Sequence, residues 1–187
     1  LGMHDTGFFV PPEKLERFPV CYERRLNKKL VVQDETETSH YRTPPSYPSG
    51  GGGLVSTAHD YLRFCEMLRQ GGELDGARIL SRKTIELMTQ SHLPPGTSLA
   101  TAVPPGVYGE PIQSGTGFGL GFSVLSDLSR AQIIGSVNQY AWAGAASTQF
   151  WIDPVEEVVV IFLTQLLYGA YPIQRQLQVL VNAAFED

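Results

Sequence analysis

Gly115-Thr116-Gly117-Phe118-Gly119-Leu120-Gly121-Phe122 opens the last third of the chain and decides how the rest is read. Alternate residues of a strand share a face, so this stretch puts bulky side chains on one side and bare backbone on the other. A bare face admits a second backbone or a ligand at close range. The pattern predicts a strand that runs on through Leu125. Beyond it, Asp127 to Arg130 reads as a turn, Gln132 to Val137 as the next strand and Ala146 to Ile152 as a third. Asp153-Pro154 then turns the chain into Val158 to Gln165, the fourth. Consecutive strands joined by short turns predict an antiparallel meander. After Pro172, the residues Ile173, Leu177, Leu180, Val181 and Ala184 recur at helical spacing, which predicts a terminal helix lying on one face of the sheet.

Upstream, the character differs. Pro11-Pro12 starts a short helical turn that stops at Pro19, and Leu30-Val31-Val32 has the make-up of a short strand. Residues 33–49 are polar or proline and read as a surface excursion. The run Gly50 to Gly53 abuts Ser56-Thr57, a helix cap with Asp60 three residues after Thr57, so close backbone approach is the expectation for the glycines rather than a tether. Tyr61, Phe64, Cys65 and Leu68 share one face of that helix, and Gly71-Gly72 end it. Ser81 caps a second helix, with Ile85 and Met88 inward, ending near His92. Pro94 to Ser114 has no regular period, and a loop of that length suits a functional rim or lid. Two helices among loops, then four strands, then a helix make an α+β fold, not a βαβ nucleotide fold. Residues 1–114 form its helical and loop part, and residues 115–187 the antiparallel sheet and terminal helix.

The chain has 187 residues, with 14 Lys and Arg against 19 Asp and Glu, a formal charge of −5. This balance argues against nucleic acid or an anionic membrane as partner. Cys21 and Cys65 fit two free thiols better than a disulfide framework. No apolar run reaches the ~20 residues of a membrane helix, and no basic start precedes an apolar stretch. Position 1 is Leu rather than Met, so a piece of something longer is expected.

His4, His40, His59 and His92 have no metal-ligand spacing, and no phosphate-binding Gly-x-x-x-x-Gly-Lys motif occurs, so neither metal nor cofactor is expected. Neither Gly-x-Ser-x-Gly nor Ser-x-x-Lys is present.

Five segments nevertheless carry a resemblance. They are Leu1-Gly-Met-His-Asp-Thr-Gly-Phe8, Gly51-Gly-Gly-Leu-Val-Ser-Thr-Ala-His-Asp-Tyr-Leu-Arg-Phe64, Gly72-Glu-Leu-Asp-Gly-Ala-Arg-Ile-Leu-Ser81, Gly117-Phe-Gly-Leu-Gly-Phe122 and Trp142-Ala-Gly-Ala-Ala-Ser-Thr-Gln-Phe-Trp-Ile-Asp-Pro154. In this order the chain resembles serine β-lactamase-related hydrolases, the group of class C β-lactamases, penicillin-binding proteins and family VIII carboxylesterases. The resemblance implies part of a β-lactamase/transpeptidase-like fold, the C-terminal portion of one such domain. It implies that the Ser-x-x-Lys and the tyrosine that carry acyl transfer lie upstream of the Leu-Gly-Met segment. The family's Lys-Thr-Gly strand has its counterpart here in Trp142-Ala143-Gly144. The residue after that triplet gives a backbone N–H to the oxyanion hole, a role that falls to Ala145. Trp142 replaces a cation with an uncharged indole, which leans the pocket toward neutral esters rather than β-lactams.

Two readings from different classes follow. In one, the chain is the C-terminal part of a serine hydrolase of esters or β-lactams. Its partner is then the N-terminal portion of the same enzyme or a dimer mate, and alone it is inactive. In the other, it is a non-catalytic binding or assembly module reusing the half-fold. The resemblance leaves cytoplasm and periplasm both open.

Overall fold

A computed structural model describes residues 1–102, 114–167, 169 and 171–185. Its centre is a five-stranded antiparallel sheet whose strands lie in chain order: β5 (Thr116–Phe118), β6 (Ser123–Leu125), β7 (Tyr140–Ala143), β8 (Gln149–Asp153) and β9 (Val158–Phe162). The meander is therefore present, with three differences from expectation. The alternating-glycine strand does not run on to Leu125. It stops at Phe118 and folds back at Gly119–Phe122, where the Gly119 N–H donates to the Phe122 carbonyl at 2.8 Å and Gly121 takes a φ of +101°. Residues 132–137 are not a strand. A one-turn helix, α4 (Leu128–Ala131), is capped by the Asp127 carboxylate and followed by irregular chain up to β7. The third predicted strand begins later, at Gln149.

The bare glycine face works as expected in β5. A side chain on Gly117 would collide with Ser91, and one on Gly119 with the Met88 carbonyl, so the C-terminal end of the second helix lies directly on this backbone. At Gly50, Gly51, Gly52 and Gly53 the expectation fails. Nothing lies within 4 Å of where their Cβ atoms would be, so no backbone approaches them.

Helix α1 (Ala58–Arg69) begins at Thr57, whose hydroxyl accepts from the Asp60 N–H at 3.2 Å. Cys65 and Leu68 are buried, and Tyr61 and Phe64 pack beside them, as the spacing requires. The helix lies against β9 and contributes to a core with Val124, Tyr140, Phe150 and Ile152. Tyr140 faces Ile152 across the β7–β8 ladder and Trp142 faces Phe150, so these four share the helix-covered side of the sheet. A hairpin of β3 (Glu73–Leu74) and β4 (Ala77–Arg78) leads to α2 (Arg82–Met88), which Ser81 caps and which ends earlier than His92. A short α3 (Leu99–Ala102) packs on β5. Most of the proposed Pro94–Ser114 rim, residues 103–113, lies outside the described residues.

A second sheet was only partly visible in the sequence. Strands β1 (Cys21–Arg24) and β2 (Leu30–Asp34) form an antiparallel ribbon, and β10 (Leu166–Leu167) joins β1 in parallel. The first and last quarters of the chain are thus stitched together. The terminal helix, α5 (Ile173–Asn182), turns Ile173, Leu177 and Val181 partly inward around a buried Gln178, whereas Leu180 is 67% exposed and Ala184 also faces outward. Its inward row is narrower than the predicted one because Leu180 sits about 60° around the axis from Leu177.

Both cysteines are free, Cys65 buried and Cys21 half-buried.

Candidate active site

Strand β7 enters the core at Tyr140 and leaves it at Ala143. Its alternation puts Trp142 on the core side, half-buried, with its ring edge-on to Phe118 at a centroid distance of 5.1 Å. Ala143, Gly144 and Ala145 are exposed in sequence. The strand then reverses through a tight turn. The Ser147 N–H donates to the Gly144 carbonyl at 3.0 Å, and the Gly144 N–H donates to the Thr148 carbonyl at 2.9 Å. Ala145 and Ala146 are the two central residues of this turn, whose N–H groups have no partner inside it. Among the described residues the Ala145 N–H donates to no backbone acceptor. The four predicted residues run consecutively from the strand into the turn: half-buried Trp142, then exposed Ala143, Gly144 and Ala145, the last with an N–H free of backbone partners among the described residues.

Gly144 sits close to its neighbour across the hairpin. A Cβ there would collide with the Thr148 hydroxyl across the hairpin.

Three features of the site were missed in the sequence. Phe118 braces Trp142 across the sheet. Ser147 takes a left-handed φ of 60° and donates its hydroxyl to the Leu166 carbonyl at 2.7 Å. The Leu166 N–H in turn donates to the Ala146 carbonyl at 3.2 Å. No local signal marks Leu166 as a strand partner, since β10 is two residues long and is held by a strand some 140 positions earlier. Helix α3, within the Pro94–Ser114 segment, packs on β5, the strand that carries Phe118.

The segment Leu1–Phe8 is fastened to α1. The Asp60 carboxylate, 4% exposed, accepts from the Asp5 N–H at 2.7 Å and from the Thr6 hydroxyl at 2.9 Å. Lys14 and Arg17 pair with the Asp5 carboxylate at 2.6 and 2.8 Å and hold its pKa below the ordinary carboxylate value. Among the described residues no group of three or more His, Cys, Asp and Glu side chains stands close enough together to hold a metal ion.

Comparison with known proteins identifies the family. Protein Rv1367c of Mycobacterium tuberculosis is 34% identical over 167 residues, which cover 88% of this chain and 40% of that protein. Esterase EstB of Burkholderia gladioli is 28% identical over 185 residues, 90% of this chain and 42% of that protein. The chain thus spans less than half the length of these relatives. Among solved structures, the simvastatin synthase LovD of Aspergillus terreus superposes with a TM-score of 0.78 at 20% identity, covering 100% of this chain and 48% of that one. EstCE1, a hydrolase with promiscuous acyltransferase activity, gives 0.72 at 23% identity over 95% of this chain and 46% of that one. The family model described as Beta-lactamase matches residues 1–183, and the chain therefore belongs to the Beta-lactamase family, the serine β-lactamase-related hydrolases.

Proposed function

We propose that this chain supplies one wall of the acyl pocket of a serine esterase, and that the attacking serine belongs to polypeptide outside these 187 residues. The observation that carries the reading is the exposed turn after β7, with its unpaired Ala145 N–H beside Trp142. A carbonyl under attack develops a negative oxygen, and pre-aimed donors stabilise it because they need no reorganisation during reaction. Ala145 supplies one donor, and the N–H of the nucleophile itself supplies the second. The serine attacks the ester carbonyl, its proton passes to the lysine–tyrosine pair, and the alcohol leaves to give an acyl-enzyme that water cleaves. Trp142 lines the pocket with an uncharged ring, which favours a neutral ester over a substrate bearing a carboxylate. The name of the Burkholderia relative, an esterase, supports the same substrate class.

The sheet adds support for a completing polypeptide. Strand β9, Val158-Val159-Val160-Ile161-Phe162, forms an edge of the sheet, with no proline or charge along it and every residue only half-buried. Such an edge is a template for another strand.

The test uses Ala145→Pro in the complete polypeptide. Position 145 follows the first residue of a tight turn and has no positive φ, so proline fits there while deleting the N–H. Hydrolysis of a nitrophenyl ester should fall by about 10²–10³ in kcat with the fold intact. Unchanged turnover, or turnover by the isolated 187-residue chain, defeats the proposal.

A further inference from the structure

The turn that carries Ala145 is held from outside itself. The Ser147 hydroxyl donates to the Leu166 carbonyl at 2.7 Å, and the Leu166 N–H donates to the Ala146 carbonyl at 3.2 Å. Leu166 is itself fixed, because β10 runs parallel to β1 and the Tyr22 N–H donates to the Gln165 carbonyl at 2.9 Å. The chain of contacts therefore leads from the ribbon β1–β2, through β10, to the two residues that follow Ala145. Ser147 holds this place in a left-handed conformation, φ 60°, which glycine or asparagine adopts far more readily than serine. A residue kept in a costly conformation points to a use for its side chain. The use visible here is the hydroxyl bond to Leu166. Gly169 leaves room for it, since a Cβ at that position would lie 2.6 Å from the Ser147 oxygen.

We propose that Ser147 is a positioning residue for acyl transfer. Its hydrogen bond to Leu166 locks the Gly144–Ser147 turn against β10, so that the Ala145 N–H stays aimed at the oxygen of the carbonyl under attack. The inference rests on the oxyanion role given above to Ala145. An oxyanion donor acts through its aim, and an error of about 1 Å in such a group can cost roughly 10²-fold in rate. Loosening the turn without deleting the donor costs less.

The test compares Ser147→Gly, Ser147→Ala and Ser147→Asn in the complete polypeptide. Glycine removes the hydroxyl and also suits the positive φ, so this variant keeps its melting temperature. Both Ser147→Gly and Ser147→Ala should lower kcat on a nitrophenyl ester by about tenfold, with KM within twofold. They should weaken a boronic acid that forms a tetrahedral serine adduct by the same factor. Asparagine tolerates the left-handed region and offers an amide donor, so Ser147→Asn should recover part of the loss. Unchanged kcat in Ser147→Gly, or losses that follow melting temperature alone, overturn the proposal. Ala145→Pro separates the two ideas. If it abolishes turnover while Ser147→Gly is silent, only the positioning role fails. If Ala145→Pro is silent as well, the oxyanion reading fails with it.

Discussion

Asp60 shows how much one side chain fixes in this molecule. It is the third residue of α1, its N–H is capped by Thr57, and its carboxylate gathers the Asp5 N–H and the Thr6 hydroxyl. Removing a buried charged acceptor leaves its donors unpaired, so Asp60→Ala should cost on the order of 3 kcal/mol in a urea melt. The sequence showed Asp60 only as part of a cap, because a bond spanning 55 positions leaves no local mark. Cys65 gives a second test at this scale. Burial, with a smaller push from the Glu66 charge, raises its thiol to about 12 from an ordinary 9.0. Burial also raises the phenols of Tyr61 and Tyr140. In each case the unfolded chain loses its proton first, so the stability is present below the unfolded pKa and lost as pH rises above it. The melting temperature should therefore decline from about pH 9 upward, with a shallower onset in Cys65→Ala. A flat profile to pH 11 would mean that these groups are not buried as described.

Among the elements, capping and glycine chemistry explain what could be read in advance. The Thr57 and Ser81 caps, the Gly71-Gly72 stop and the inward row of α1 follow from local rules that the packing then reinforces. Misreadings arose where a local pattern had two geometric outcomes. The glycine alternation suits a strand, but Gly121 also permits the positive φ of a hairpin turn, and the turn won. The sequence suggests a strand over residues 132–137, but Asp127 caps a helix turn there instead of closing a hairpin, and the next strand begins only at Tyr140. Trp142 to Ala145 could be located only through the family's Lys-Thr-Gly position, since small residues after an aromatic carry no chemistry by themselves. Their exposure and the Ser147 strap belong to tertiary structure. The two glycine classes make opposite predictions. Gly119→Ala drives a methyl group into the Met88 carbonyl and should destabilise by more than about 2 kcal/mol. Gly51→Ala meets nothing within 4 Å and should be neutral or stabilise by up to about 1 kcal/mol, through the unfolded chain. Paired urea melts check both.

At the scale of the molecule, apolar side chains remain outside. Leu163, Val179 and Leu180 are exposed in the C-terminal part that follows the edge strand β9. An edge strand of five uncharged β-branched or aromatic residues, with no described strand paired along its outer side, favours association. The isolated chain should show concentration-dependent association in the analytical ultracentrifuge, relieved when the Ser-x-x-Lys-bearing portion is supplied. A monodisperse monomer at all concentrations would instead favour a self-sufficient module. The meander of five strands, the helix-covered core and the β1–β10 pairing fix the position of the turn that follows Trp142. The most direct measurement is a crystal structure of the complete polypeptide inactivated with a phosphonate ester. The phosphonyl oxygen should lie about 2.7–3.1 Å from the Ala145 nitrogen, with Trp142 beside the phosphorus substituent. A phosphonyl oxygen held by other donors, with Ala145 turned away from it, would contradict the account.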